Sequence, residues 1–141
     1  MIVYAESSAV LAWLLGEPAG DSVRAILEQA ERVVTSSLTG VECSRTLARA
    51  RAMGRISATD ELAALRLLEL AEARWDLHDL SDRVLARAGA PFPSEPVRTL
   101  DALHLATAAL ALEGFGRVTV LTLDVRIRAN TAGMGLAVEP G

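Results

Sequence analysis

The chain has 141 residues, of which 51% are hydrophobic and only 4% aromatic, and it carries a formal net charge of −4. This length fits a single domain, residues 1–141, whose aliphatic core needs no disulfide or structural metal. The acidic balance argues against a protein that coats nucleic acid, although an enzyme could still hold phosphates through bound cations. No apolar run approaches the roughly 20 residues of a membrane span, and no signal-peptide pattern follows Met1. The single cysteine, Cys43, can form no internal disulfide, so we expect a cytoplasmic protein with no membrane association.

The first half of the chain predicts alternating strands and helices. An apolar run at Ile2–Ala5 indicates a buried strand. Ser7 or Ser8 can then cap a helix that runs to about Leu15, where a glycine and a proline follow. The next predicted elements are a helix over 20–30, a strand over 32–35, a helix over 36–53 and a helix that starts near residue 57 or 59.

The second half continues the same alternation. Three prolines make residues 90–97 a loop, and the stretch 99–112, rich in Ala and Leu, predicts a strong helix. The clearest strand is the β-branched run 118–123. The other predicted elements are a strand over 75–78, short helices over 81–88 and 124–131, and a last strand over 136–138. Several strands are wholly apolar, so the sequence predicts an α/β fold in which helices cover both faces of a parallel sheet.

Four carboxylates are expected to meet at the carboxyl edge of this sheet, where ligands bind in folds of this kind. Glu6 directly follows the first strand, and Asp124 follows the strand over 118–123. Glu42 and Asp101 are predicted in the first turns of helices that begin at the same edge. Acids from distant parts of the sequence are thus predicted to converge.

Each acid also has a purely structural explanation. Glu42 completes a capping box with Thr39, the helix dipole favours Asp101, Asp124 is a good N-cap, and Glu6 could be a charge at the start of a helix. Converging carboxylates, however, repel one another by about 1 kcal/mol per pair at ~4 Å in water, and by several times more near a protein surface. Divalent cations remove that cost, and hard oxygen ligands suit Mg²⁺ or Mn²⁺. Two such ions would support two-metal cleavage of a phosphodiester bond.

The segments around these acids resemble those of a known family. They are I-V-Y-A-E-S-S-A-V-L at the N-terminus, S-L-T-G-V-E-C-S-R-T-L-A-R around Glu42, L-D-A-L-H-L-A-T-A-A-L around Asp101, and V-L-T-L-D-V-R-I around Asp124. In order and spacing, over nearly the whole chain, they resemble PIN-domain ribonucleases, and most of all the VapC toxins of bacterial toxin–antitoxin pairs. The L-D-A-L-H-L-A block is the most specific of the four.

The resemblance implies a three-layer α/β/α domain with a central parallel five-stranded sheet. It also implies hydrolysis of RNA at an acidic site that binds Mg²⁺ or Mn²⁺, a homodimer, and neutralisation by a small antitoxin protein that packs into a groove and obstructs the site. By position, the catalytic and metal-binding acids of the family correspond to Glu6, Glu42, Asp101 and Asp124. Ser8 and Thr122 match hydroxyl positions that often line the site, although Ser8 could equally cap a helix and Thr122 could be an ordinary strand residue.

The first acid departs from the family pattern, which usually has Asp where this chain has Glu6. The extra methylene moves the carboxylate by one C–C bond, and Mg²⁺ demands near-ideal geometry at about 2.0–2.1 Å. We therefore hypothesise weaker metal binding or slower turnover than in an Asp-bearing relative. One alternative is a PIN-like module that binds RNA or a partner protein without cutting. Another is a phosphatase with an aspartyl nucleophile, but that chemistry needs Asp at this position.

Some other residues have two possible interpretations. Arg45 and Arg49 share a helix face and could either steer RNA phosphates or be a solvated surface. His104 is expected to be a packed residue hydrogen-bonded to backbone rather than a ligand. Trp13 is expected in the core or an interface, and Cys43 is expected to be buried.

Overall fold

The apolar runs of the sequence form one parallel sheet. The structure, a computed structural model, describes residues 1–141. Its strands are β1 (Ile2–Ala5), β2 (Arg32–Ser36), β3 (Asp76–His78), β4 (Thr119–Leu121) and β5 (Ala137–Glu139). They pair in parallel in the order β3-β2-β1-β4-β5. The predicted α/β fold with a parallel five-stranded sheet is confirmed.

Helices cover both faces of the sheet. They are α1 (Ser7–Leu14), α2 (Gly20–Gln29), α3 (Ser37–Ala52), α4 (Ala58–Glu72), α5 (Asp82–Ala88), α6 (Thr99–Phe115) and α7 (Val125–Thr131). Consecutive residues of β1 pack on opposite faces of the sheet, as the two-residue period of a strand requires. Tyr4 packs in an apolar cluster with Leu105 of α6 and Ile127 of α7, whereas Ala5 packs in a cluster with Leu47 of α3. None of the helices combines the length and the apolar composition needed to cross a bilayer.

The strand order places a crevice at the carboxyl ends of β1 and β4. From β1 the chain proceeds to β2 and β3 on one side of the sheet, and it later crosses to β4 on the other side. Neighbouring connections diverge at such a switch point, which leaves room for a ligand. Helix α1 follows β1, α3 follows β2, and α7 follows β4. The first turns of these helices therefore surround the crevice.

Two element ends differ from the predictions for identifiable reasons. Strand β4 is shorter than the predicted run 118–123, because Leu123 donates its backbone N–H to the Ser8 hydroxyl at 2.9 Å instead of continuing the sheet. Helix α6 runs three residues beyond the predicted end at Leu112, to Phe115. It ends where Gly116 adopts a left-handed conformation with φ of 79°, which glycine adopts without steric cost.

Cys43 and Trp13 lie on the side of the sheet covered by α1–α4. Cys43 is fully buried, as predicted, and burial raises the pKa of its thiol to about 12, which is typical of an unreactive structural cysteine. Trp13 is half-buried and lines a cleft of about 810 Å³ together with Leu27 and Trp75. This larger cleft contains none of the predicted acids, so its size does not make it the candidate site.

Candidate active site

The predicted acids line a single cleft of about 470 Å³ at the carboxyl edge of the sheet. Its walls come from the starts of α1 and α6, the second turn of α3 and the residue that precedes α7. The four acids in its lining are Glu6, Glu42, Asp101 and Asp124. Arg98 is the only basic side chain that lines it. The four predicted acids therefore line the same cleft, and their catalytic role remains a prediction.

Glu6 is held by two hydroxyl groups. It occupies the N-cap position of α1, yet its side chain makes no capping hydrogen bond. Instead, Oε2 accepts hydrogen bonds from Ser8 Oγ and from Thr122 Oγ1, the latter at 2.6 Å. Thr122 is fully buried, and Glu6 is 5% exposed. Ser8 and Thr122 thus orient the first acid, and the other oxygen of Glu6, Oε1, accepts no hydrogen bond from the protein.

The substitution Glu6→Asp tests whether the longer side chain weakens the site. Shortening by one C–C bond withdraws the carboxylate from the buried Thr122 hydroxyl, which should lower the free energy of unfolding by about 1 kcal/mol. We expect the same substitution to increase Mn²⁺ affinity and the rate of RNA cleavage, because the extra methylene of Glu6 would hold its carboxylate away from the position that the metal ion requires. Urea unfolding and Mn²⁺ titration measure the two effects separately. Unchanged affinity and rate would show that the departure from Asp is harmless.

Glu42 lies one turn further into its helix than predicted. Helix α3 begins at Ser37 and is capped by Ser36, whose hydroxyl accepts the backbone N–H of Leu38 at 3.1 Å. The predicted capping box between Thr39 and Glu42 is therefore wrong. The Thr39 hydroxyl instead lies 2.8 Å from the Thr35 hydroxyl. Glu42 therefore takes no part in a capping box, and its carboxylate contacts other side chains.

Those partners are Ser7 and His104. Glu42 Oε1 accepts a hydrogen bond from Ser7 Oγ at 2.7 Å and lies in close contact with His104 Nε2. Burial tends to raise the pKa of Glu42, but the hydrogen bond and charge interaction with His104, together with Ser7, more than offset it and lower that pKa. Glu42 is therefore ionised at neutral pH, and its Oε2 accepts no hydrogen bond from the protein.

Asp101 lies in the first turn of α6, as predicted, and it is the least compensated of the acids. It is 8% exposed, and its buried Oδ2 has no hydrogen-bond partner. The nearest cation, Arg98 Nε, lies 3.7 Å from that oxygen, which is within an ion-pair distance but beyond a hydrogen bond. Burial and the neighbouring charge of Asp124 raise the pKa of Asp101. A buried carboxylate oxygen without a hydrogen-bond partner is costly, so this oxygen would be stabilised by a cation placed beside it.

Asp124 combines the two interpretations that the sequence left open. It is the N-cap of α7, and its Oδ1 accepts the backbone N–H groups of Arg126 at 2.8 Å and Ile127 at 3.2 Å. Its Oδ2 accepts no hydrogen bond, and the residue lines the cleft. The cap holds one oxygen and thereby orients the carboxyl group, so a structural role does not compete with a role in the site.

The cleft is also lined by residues that the sequence does not single out, and His104 contacts one of its acids. The sequence predicts only a helix-capping role for Ser7, although Ser7 lies between Glu6 and Ser8, which are both predicted in the site. The expectation that His104 bonds to backbone is wrong, because its ring nitrogens contact the side chains of Tyr4, Ser7 and Glu42. The remaining lining residues that sequence reasoning did not propose are Leu11, Thr46, Thr99 and Leu100. Nothing in their local sequence distinguishes them from ordinary helix residues.

The donor set suits a hard divalent cation. All four candidate ligands are carboxylates, and each has at least one oxygen that no protein group binds. In this structure no three or more His, Cys, Asp or Glu side chains are arranged so that they could hold an ion among them. Such an open arrangement is compatible with Mg²⁺, which keeps several water ligands and takes only a few carboxylates. The buried Oδ2 of Asp101 is the strongest single sign of a fit.

Comparison with known proteins places the chain in a family. The family model of the PIN domain matches residues 3–131. The chain is 35% identical over 136 residues to ribonuclease VapC46 of Mycobacterium tuberculosis, which covers 96% of this chain and 95% of that protein. It is 30% identical over 143 residues to ribonuclease VapC35 of the same species, and this alignment covers 99% of this chain and 98% of that protein.

A solved structure shows the same fold at much lower sequence similarity. It is the crystal structure of VapBC2 from Rickettsia felis bound to a DNA fragment from their promoter, with a TM-score of 0.66, 14% identity, and coverage of 99% of this chain and 98% of the other. The family model spans most of the chain, and the similarity to the curated relatives extends over their whole length. The chain belongs to the PIN-domain family, and it is similar over nearly its full length to the VapC ribonucleases named above.

Proposed function

We propose that this chain is a metal-dependent endoribonuclease and the toxin of a toxin–antitoxin pair. The proposal depends on one observation, which is that four carboxylates line one cleft and each retains an oxygen without a protein donor. Similarity over the whole length to proteins named ribonuclease VapC supports RNA as the substrate.

Mg²⁺ or Mn²⁺ is the proposed cofactor, with Glu6, Glu42, Asp101 and Asp124 as ligands. When bound, such an ion lowers the pKa of a water molecule and stabilises the charge that develops on the phosphate. Asp101 contributes most to attracting the cation, because its buried Oδ2 is otherwise unpaired. The net negative charge of the chain is then no obstacle to binding RNA at this cleft.

The side chains around the acids position them and the substrate. Ser8 and Thr122 hold Glu6, as the backbone of α7 holds Asp124. Arg98 has a side chain that is 70% exposed beside Asp101, so it can turn towards the cleft and bind an RNA phosphate next to the acids. The protein thus supplies oriented carboxylate oxygens and one exposed guanidinium group at the same cleft.

A cleavage assay with purified protein tests the activity. We expect single-stranded RNA to be cut internally with Mg²⁺ or Mn²⁺, to remain intact when EDTA removes the metal, and to be cut again after metal is restored. RNA size on denaturing gels and metal content before each reaction are the measurements. Cleavage that continues unchanged in EDTA would contradict the proposed metal dependence.

A second candidate is a PIN-like module that binds RNA or a partner protein without cutting. It is favoured by Glu6 in place of the usual Asp and by the open arrangement of the acids. Binding of labelled RNA with Mn²⁺ present, but without any products after long incubation, would select this module over the nuclease.

We also propose a small antitoxin partner, a homodimer and a cytoplasmic location. Two structures with the same fold are VapBC2 and a toxin–antitoxin complex from Klebsiella pneumoniae. Growth arrest on expression, relieved by a short neighbouring reading frame and absent with Asp101→Ala, tests the antitoxin.

The homodimer has its own candidate surface. Leu62 and Leu70 of α4 are 70% and 58% exposed, and such side chains are candidates for a subunit interface. Light scattering that shows a monomer would contradict the dimer.

A further inference from the structure

A buried chain of polar side chains ends at Glu42. The Tyr4 hydroxyl lies 2.7 Å from His104 Nδ1, and His104 Nε2 contacts Glu42 Oε1. Ser7 Oγ lies 3.2 Å from the same Nε2 and donates to the same carboxylate oxygen. Tyr4 is fully buried and His104 is 1% exposed, so the contact between them is shielded from water.

The surroundings determine where the imidazole ring carries its hydrogen. Oε1 of Glu42 already accepts the hydrogen bond of the Ser7 hydroxyl at 2.7 Å, so it faces His104 Nε2 as an acceptor, and an Nε2 lone pair at this contact would be repelled by it. Nε2 must therefore carry a hydrogen and donate it to Oε1. Nδ1 then faces the Tyr4 hydroxyl, 2.7 Å away, and this second contact fixes the orientation of the buried ring.

We infer that His104 is a positioning residue whose Nε2–H, oriented by the Tyr4 hydroxyl, holds Oε1 of Glu42 and leaves Oε2 for a divalent cation. This inference rests on the proposed function, in which Glu42 is a metal ligand. His104 itself would bind neither metal nor RNA. Its position three residues after Asp101 on α6 allows one helix to supply a ligand and to orient a second ligand from α3.

Two amide substitutions separate this role from simple packing. In His104→Gln the amide NH₂ can occupy nearly the position of Nε2 and still donate to Glu42. In His104→Asn the shorter amide reaches only the position of Nδ1, on the side of Tyr4. We expect His104→Gln to bind Mn²⁺ within about threefold of the unmodified chain, and His104→Asn to bind it at least tenfold more weakly, since groups that orient metal ligands are typically worth 10- to 100-fold.

The control for lost stability is Thr131→Val. Thr131 is also buried and its hydroxyl donates to the Arg128 carbonyl at 2.9 Å, away from the network. We expect this variant to lose some stability with Mn²⁺ affinity unchanged, as measured by calorimetric titration at a temperature at which all variants are folded. Equal affinities for the Gln and Asn variants would overturn the inference.

A metal-free measurement keeps the inference testable by itself. The chain has only two histidines, His78 and His104, so long-range ¹H–¹⁵N spectra can assign both rings. At neutral pH we expect the His104 ring to carry hydrogen at Nε2, and Tyr4→Phe to alter the Nδ1 signal of His104 but not that of His78. A ring that carries hydrogen at Nδ1 but not at Nε2 would overturn the inference, even in a protein that cleaves RNA. Absence of Mn²⁺ binding and cleavage in the unmodified chain, with Nε2 protonated, would count against the proposed function instead.

Discussion

Replacing Asp101 with asparagine is expected to abolish RNA cleavage and at the same time to stabilise the metal-free protein. The activity should fall by at least about 100-fold, because metal ions stabilise a phosphoryl transition state by several kcal/mol and a lost ligand removes much of that effect. The stability should rise because burial and Asp124 raise the pKa of Asp101. A carboxyl group whose pKa is raised on folding destabilises the folded state at every pH above its unfolded-state pKa, which is about 3.9 for Asp, and neutral pH lies above that value. Asparagine keeps the shape without the charge.

The two effects are measured by cleavage rate and by thermal unfolding in EDTA. We expect the Tm of Asp101→Asn to exceed that of the unmodified chain by about 2–5 °C. Asp60→Asn is a matched control with the opposite sign. The Asp60 carboxylate accepts the backbone N–H of Ser57 in a capping box, which lowers its pKa, so its removal should lower Tm and leave cleavage unchanged. A lower Tm for Asp101→Asn would mean that its charge is better compensated than the structure shows.

Replacing Gly20 with alanine is expected to have the largest effect on stability among the glycine substitutions. A Cβ at Gly20 would lie 2.6 Å from the backbone oxygen of Ala12 and 3.2 Å from the Cα of Trp13. These are backbone atoms, so α1 and α2 would have to separate. Overpacking of this kind typically costs about 1–3 kcal/mol. Because Glu6, Ser7 and Ser8 are at the start of α1, we also expect slower cleavage.

Gly114→Ala is the control for this prediction. Gly114 lies in the last turn of α6, has an ordinary φ, and no atom lies within 4 Å of a Cβ built there. Alanine should stabilise the helix by about 0.5–1 kcal/mol. Urea unfolding of both variants gives the comparison. A Gly20→Ala protein as stable as Gly114→Ala would show that α1 and α2 pack more loosely than the structure indicates.

Most elements were predictable because local chemistry specifies them. The apolar run Ile2–Ala5 and the proline-rich loop before Thr99 each carry their signal within a few residues. Element ends were less predictable where a distant side chain decides them. Strand β4 ends where it does because Ser8 takes the N–H of Leu123, and the sequence around Leu123 contains no trace of that contact.

The candidate site was also only partly predictable from local sequence. The acids could be proposed from their positions after strands and at helix starts, and the family resemblance supported the choice. The error at Glu42 arose because a Thr-x-x-Glu pattern fits a capping box equally well, while the actual cap is Ser36. The error at His104 arose because a histidine on an apolar helix face is compatible with many partners, and only the packing of α6 against β1 selects Tyr4.

The sequence by itself determined the alternation of strands and helices and the four acids at the edge of the sheet, since hydrophobic period and helix-start chemistry depend on neighbouring residues. Only the tertiary structure decided which oxygen of each acid is held and which is free. Those decisions depend on contacts between residues far apart in the chain, such as Thr122 with Glu6 across 116 positions and His104 with Glu42 across 62. The order of the parallel strands brings these residues together, and no local pattern encodes that order.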